Sequence, residues 1–177
     1  YPDVLKWLPV EDEILKQNRM PLEVQEKILN ADLIFTLDFN ALGRVQELTD
    51  LVRKAPGEKI MIDHHEGPES YASLQYSDPS MSSTCEMVYK VIQALDETAF
   101  NKEIASCLYT GIMTDTGSFR YSATTSETHL AISHLIRAGA DGTEIHQKIY
   151  DSSSLNRLKS LGITLSNLQE IPDLPIV

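Results

Sequence analysis

Three short stretches of the chain carry side chains that can hold a metal ion or move a proton. Asp38 follows the apolar run Leu33-Ile34-Phe35-Thr36-Leu37; Asp63, His64 and His65 follow Ile60-Met61-Ile62; Asp115 lies in Gly111-Ile112-Met113-Thr114-Asp115-Thr116-Gly117. Carboxylates are hard oxygen donors and imidazoles borderline nitrogen donors, a mixture that suits manganese, zinc or iron. Each stretch also has a plainer reading. Asp38 can cap the helix that follows it, the histidines can be hydrogen-bonded loop residues, and Asp115 can bond to Thr116 or Ser118 at the end of its own helix.

The elements around these residues decide whether they can meet. Residues 33–37 read as a short buried strand that stops at Asp38. Ala41, Leu42, Val45, Leu48, Leu51, Val52 and Ala55 recur at helical spacing, and Pro56-Gly57 closes that helix. A second strand runs from Ile60 straight into Asp63-His64-His65. Strand, helix and strand of these lengths make a right-handed βαβ unit, with parallel, adjacent strands whose carboxyl ends share one edge of the sheet. Ligands of open parallel sheets bind just outside that edge. The third stretch arrives on another element. Residues 101–114 read as a helix apolar nearly all round, hence buried, with Asp115 in line with Ile104, Leu108 and Gly111. A carboxylate on such a face is disfavoured unless it meets a cation or a good set of hydrogen bonds. Residues 38, 63–65 and 115 are therefore expected to converge.

The remaining elements are a short strand at 72–76, a helix carrying Met81, Cys85, Val88, Ile92 and Leu95 on one face, and amphipathic helices over 126–138, 143–150 and 154–170. Ser83-Thr84-Cys85-Glu86 has the form of a capping box, in which Ser83 accepts from the Glu86 amide and Glu86 reaches back to the cap. The tail 171–175 reads as extended, and Tyr1 and Trp7 lie in a segment expected to cover a sheet edge. His134, among Leu130, Ala131, Leu135 and Ala138, reads as a satisfied, partly buried histidine; His129 and His146 read as surface residues. Arg44 and Arg120 can contact phosphate or serve as ion-pair partners.

Taken in order, Asp38 in LDFN, the triplet in IDHHEGP and Asp115 in GIMTDTGSFRY match three signature motifs of the DHH phosphoesterases, and over residues 31–125 the chain resembles that family. Within it the chain is most similar to the NrnA-like branch, oligoribonucleases that also dephosphorylate 3′-phosphoadenosine 5′-phosphate. The resemblance implies an α/β fold, a three-layer αβα domain with a mainly parallel sheet. It implies a two-metal site, usually manganese (Mn2+), in which Asp38 bridges both ions while His64 and Asp115 complete the shell of one. His65 would be the catalytic residue that faces the substrate phosphate, and Asp63 would orient an imidazole. Two ions roughly 3.5–4 Å apart clamp a phosphoryl group and activate water for in-line attack.

The family's first motif, H-x-x-x-D-x-D on its first strand, is begun by none of the five histidines, so it is expected ahead of Tyr1. The G-G-G-H loop of the family's smaller C-terminal domain has no counterpart either, because no two glycines here are adjacent. Residues 1–153 thus read as a DHH-type catalytic domain without its N-terminal strand, and 154–177 as a connector helix and tail towards a C-terminal domain.

Composition narrows the partners. The 177 residues hold 15 Lys and Arg against 26 Asp and Glu, a net charge of −11. Long nucleic acid is held by clustered cations, which argues against that role but leaves room for a short oligonucleotide or phosphonucleotide held through a metal. No stretch reaches the about 18 consecutive apolar residues of a membrane span. Cys85 and Cys107 stand apart with no C-x-x-C pair, which suits a reducing, cytoplasmic setting. The expected function is a manganese-dependent phosphoesterase acting on short oligonucleotides or 3′-phosphonucleotides. An inorganic pyrophosphatase or cyclic dinucleotide phosphodiesterase resembles the same motif set, and a non-catalytic binding or homodimerisation module is the alternative from another class.

Overall fold

The computed structural model describes residues 3–169, so Tyr1 and the tail expected to be extended at 171–175 lie outside the described residues. The chain divides into two compact units, with boundaries between Lys6 and Trp7 and between Gly142 and Thr143. Residues 7–142 hold the sheet and every candidate metal-binding residue.

Three parallel strands, β1 (Leu33–Leu37), β2 (Glu58–Asp63) and β3 (Leu74–Ser77), lie side by side in that order. Helices cover both sides of the sheet, which makes the α/β sandwich expected. α1 (Pro21–Leu29) packs with α2 (Thr49–Lys54), while α3 (Thr84–Leu95), α4 (Lys102–Asp115) and α5 (Ser126–Arg137) pack on one another. Leu37 pairs with Ile62, so β1 and β2 end together, and the Asp38 amide donates to the Ile62 carbonyl at 3.2 Å. Asp38 and Asp63 are thereby delivered to the same sheet edge.

β2 is buried on both faces. Ile60 and Ile62 meet Met81, Met87, Val88 and Val91 from α3 and its approach, whereas Met61 is buried on the opposite side. β1 departs from the expectation of a buried strand. Thr36 is buried and hydrogen-bonds the Tyr71 hydroxyl at 2.6 Å, but Leu33, Phe35 and Leu37 are 45%, 50% and 44% exposed. The reason is position: β1 is an edge strand, and α3 packs against β2, which leaves the odd-numbered face of β1 about half exposed.

The helix expected over residues 41–55 is broken. Leu42–Leu48 forms tight 3-10 turns interrupted at Gln46 (φ 43°), and only Thr49–Lys54 is α-helical. Side chains take the backbone groups that a continuous helix would use. Thr49 Oγ1 donates to the Leu42 carbonyl at 2.7 Å, and the Leu42 amide donates to Glu69 Oε2 at 3.0 Å.

α3 starts as anticipated, with Ser83 Oγ accepting from the Glu86 amide at 3.0 Å. The box does not close there, because the Glu86 carboxylate turns inward to Ser82 and Thr128. The closed box belongs to α5, where Thr125 and Thr128 cap each other. α4 is capped by Asn101 and buries Ala105, Leu108, Tyr109, Ile112 and Met113. It meets α3 at Gly111, where a Cβ would lie 2.1 Å from Cys85 Sγ, so only glycine permits this approach. That contact fixes where the end of α4, and with it Asp115, arrives.

In the smaller unit a 3-10 turn at Asp3–Leu5 contacts the π-turn Gln147–Asp151. The helix expected over 143–150 is α-helical only as α6 (Gly142–His146) before that π-turn, and α7 (Leu155–Ser166) is capped by Ser154. No helix among the described residues is long and apolar enough to cross a membrane.

Candidate metal centre

The end of β1, the loop after β2 and the end of α4 meet around one imidazole. His64 Nε2 lies 3.7 Å from Asp38 Oδ1 and 3.9 Å from Asp115 Oδ2. Both distances exceed a hydrogen bond. Nδ1 of the same ring lies 3.2 Å from the Met81 carbonyl oxygen. A carbonyl only accepts, so Nδ1 carries a proton, and in the neutral ring the Nε2 lone pair faces the two carboxylates. A lone pair and two anionic oxygens turned on one another repel, unless a cation lies among them. The ring's far nitrogen held on a backbone carbonyl is the usual support of a metal-binding histidine.

Asp38 has φ 66°, the left-handed region that Asp tolerates better than most non-glycine residues. Its Oδ1 also accepts from Thr84 Oγ1 at 2.9 Å, which ties the end of β1 to the start of α3. His65 stands beside His64, ring centroids 4.8 Å apart and edge to face. One donor atom from each of Asp38, His64 and His65 lies within 4.8 Å of the others. His65 is held from below: Asp63, wholly buried at the end of β2, accepts from its Nδ1 at 2.7 Å and from its backbone amide at 3.1 Å.

Electrostatics point the same way. Burial pushes the Asp115 carboxyl above the usual carboxylate range, the neighbouring Asp38 charge pushes it further, and His64 and His65 pull it back. Among the described residues the ion-pair neighbour of both carboxylates is His64, and no Lys or Arg pairs with either. This donor set, with unneutralised charge and a pre-aimed imidazole nitrogen, fits a divalent cation. Burial first, then Asp115, Asp38 and Cys107, raise the nearby Cys85 thiol to about 12.

Asp115 is less buried than the pattern of its helix implied, its side chain being 41% exposed. The last turn of α4 carries it out of the core onto the open sheet edge. A carboxyl raised above its unfolded value favours the native state while protonated, and that contribution is lost as pH rises from the unfolded value through the folded one. At neutral pH without metal, ionised Asp115 therefore destabilises the fold. Asp115→Asn is expected to raise the melting temperature of the metal-free protein at pH 7, and only slightly, because water screens this partly exposed charge. Manganese should stabilise the wild type and not the variant, as thermal unfolding with and without the ion will show.

Several contacts at this edge were not anticipated from residue patterns. Thr84 and the Met81 carbonyl hold Asp38 and His64, and the buried Asn40 donates to the Glu66 carbonyl at 2.5 Å, joining the loops after β1 and β2. The only foretaste was Ser83-Thr84-Cys85-Glu86, read as a capping box at a helix start. Arg44 donates to Asn40 Oδ1 at 3.3 Å and Arg120 Nε to the Gly117 carbonyl at 2.7 Å; neither has an ion-pair partner among the described residues. Gly117, Ser118 and Phe119 all have positive φ, a strained reversal directly behind Asp115. His134 lies elsewhere, its Nδ1 3.0 Å from the Tyr89 hydroxyl and its ring against Phe100, as a satisfied histidine should be. His129 is exposed and touches the Phe119 ring, and His146 is half-buried beside Tyr150.

Comparison with known proteins identifies the family and the fold. Residues 1–112 match the family model described as "DHH family, N-terminal domain". The crystal structure of an exopolyphosphatase-related protein from Bacteroides fragilis superposes with a TM-score of 0.94 at 42% identity, covering 96% of this chain and 50% of that one. An uncharacterised protein of Mycoplasma pneumoniae is 39% identical over 98 residues, 55% of this chain and 30% of its own length. The bifunctional oligoribonuclease and PAP phosphatase NrnA of Bacillus subtilis is 33% identical over 126 residues, 70% of this chain and 40% of its own. The chain therefore spans less than half the length of these curated relatives.

Proposed function

This chain belongs to the DHH family, in its NrnA-like branch, and on that footing we propose that it is the metal-holding part of a manganese-dependent phosphoesterase acting on short oligonucleotides, 3′-phosphonucleotides or both. The observation that carries the reading is the convergence of Asp38 and Asp115 on His64 Nε2 with no Lys or Arg among the described residues to balance them. Two divalent ions, when bound, neutralise phosphate charge and lower the pKa of water towards neutrality.

The chain's own residues do the rest. Asp38, His64 and Asp115 hold the ions. His65, tied by Nδ1 to Asp63, has its second nitrogen free to meet a substrate phosphate oxygen, and it bears charge when it donates from both nitrogens. Asp63 is buried and cannot reach solvent; it sets the ring's angle and balances that charge. The setting is cytoplasmic, and a homodimer is compatible with this reading.

The test is manganese-dependent hydrolysis of 5′-phosphorylated diadenylate and of 3′-phosphoadenosine 5′-phosphate by the whole protein, beside pyrophosphate and cyclic diadenylate. Release of mononucleotide or of phosphate from the first two, abolished by chelation and by His64→Ala, is the expected result. Turnover of pyrophosphate or the cyclic dinucleotide alone would move the substrate assignment, and no metal-dependent turnover of any of the four would overturn the enzymatic reading.

A further inference from the structure

Beneath the metal-facing residues lies a buried carboxylate that the chemistry above does not use. Glu86, in the first turn of α3, is 1% exposed. Its Oε2 accepts from Ser82 Oγ and from Thr128 Oγ1, the latter at 2.9 Å and 42 residues away in sequence. Lys90 Nζ lies 3.7 Å from its Oε1 and 3.3 Å from Met81 Sδ. Leucine or methionine would fill the same space without the desolvation that a carboxylate suffers, so the group is costly for mere filling.

What the carboxylate grips is the loop Met81–Thr84, all four residues of which are buried. Three of them already have assignments: the Met81 carbonyl holds His64 Nδ1, the Ser83 hydroxyl caps α3, and the Thr84 hydroxyl holds Asp38. Ser82 is the remaining one, and its hydroxyl goes to Glu86. The loop lies between a fixed post and two site residues, with one hydrogen bond to each.

We propose that Glu86, acting through Ser82, is a positioning residue for the metal centre: it anchors the 81–84 loop so that the Met81 carbonyl and the Thr84 hydroxyl aim His64 Nε2 and Asp38 Oδ1 at the same point. The inference rests on the metal-holding role given to His64 and Asp38 above. Both hydroxyl bonds end on one oxygen, which makes a specific prediction about substitutions. Glu86→Gln can keep both bonds at its amide oxygen, Glu86→Leu loses both, Ser82→Ala cuts the loop free while leaving the tie to α5, and Thr128→Val cuts the tie to α5 while leaving the loop held.

The experiment uses the whole protein and two readouts that need no turnover: manganese affinity by calorimetry, and the tautomer of His64 by 15N spectra of the metal-free, histidine-labelled protein. Glu86→Leu and Ser82→Ala are expected to weaken manganese binding about 10-fold, the lower end of the effect of removing a ligand's support. They should also shift His64 from the Nδ1–H form towards Nε2–H. Glu86→Gln and Thr128→Val are expected to bind as the wild type does, although Thr128→Val melts earlier because its helix cap is lost. Wild-type affinity and an unchanged His64 tautomer in Ser82→Ala would overturn the proposal, whatever happens to stability. If the wild type itself binds no manganese, the reading of the centre fails instead, and the His64 tautomer still decides whether Glu86 braces the loop.

Discussion

Asp38→Asn in the whole protein is expected to abolish metal-dependent phosphoester hydrolysis while leaving the fold intact. Asparagine suits the position on two counts. It accepts the left-handed backbone that Asp38 adopts, where alanine would be strained, and its amide oxygen can still take the hydrogen bond from Thr84. What is lost is a charged donor facing His64 across 3.7 Å. Changes to residues that merely support ligands cost about 10–100-fold. Loss of a proposed metal ligand should cost more, roughly 1,000-fold in kcat/KM, together with measurable loss of manganese affinity. Because the side chain is 57% exposed, the melting temperature of the metal-free protein should hardly change. Wild-type turnover by this variant would remove Asp38 from the metal shell.

Asp63→Asn should separate binding from turnover. Asp63 touches neither carboxylate of the proposed shell; its two oxygens hold His65, one at the ring and one at the backbone. Asparagine keeps the volume, which matters for a residue with no exposed surface, but it presents an amide N–H where one oxygen stood and so can reverse the tautomer of the ring. General acid-base and charge-balancing contributions run to about 10²–10⁴-fold. The expected result is a fall in kcat of about 100-fold with manganese affinity within a few-fold of wild type. Equal losses in both would show that Asp63 supports the metal centre as a whole rather than His65 in particular.

How much of this arrangement could be read from residue order depends on how local its cause is. The positions of Asp38 and Asp63-His64-His65 follow from two apolar runs joined by a crossover, because parallel strands so connected must end at one edge. Asp115 was legible because it ends an unusually apolar helix. Its 41% exposure was not, since that depends on Gly111 seating α4 against Cys85 rather than on the helix's own periodicity. Glu86 is the instructive case. The same four letters, Ser-Thr-Cys-Glu, fit a closed capping box and a half-cap whose glutamate serves the core, and the choice is made by Thr128, which arrives from a helix 42 residues away. Residues 42–48 show the same dependence. Their apolar spacing is helical, but Glu69 and Thr49 claim the backbone groups of Leu42 and the ladder breaks at Gln46.

The outer face of β1 has a consequence for handling the chain. Leu-Ile-Phe-Thr-Leu carries no charge and no proline, its Leu33, Phe35 and Leu37 side chains are about half exposed, and among the described residues its outer edge pairs with no strand. Short uncharged β-formers on an open edge template the addition of another strand. Expressed as these 177 residues, the protein should aggregate with a steep dependence on concentration, starting from this edge. Phe35→Lys, on the exposed side of β1, is then the natural gatekeeper for preparing soluble material, since Phe35 lies on the opposite face from the buried Thr36.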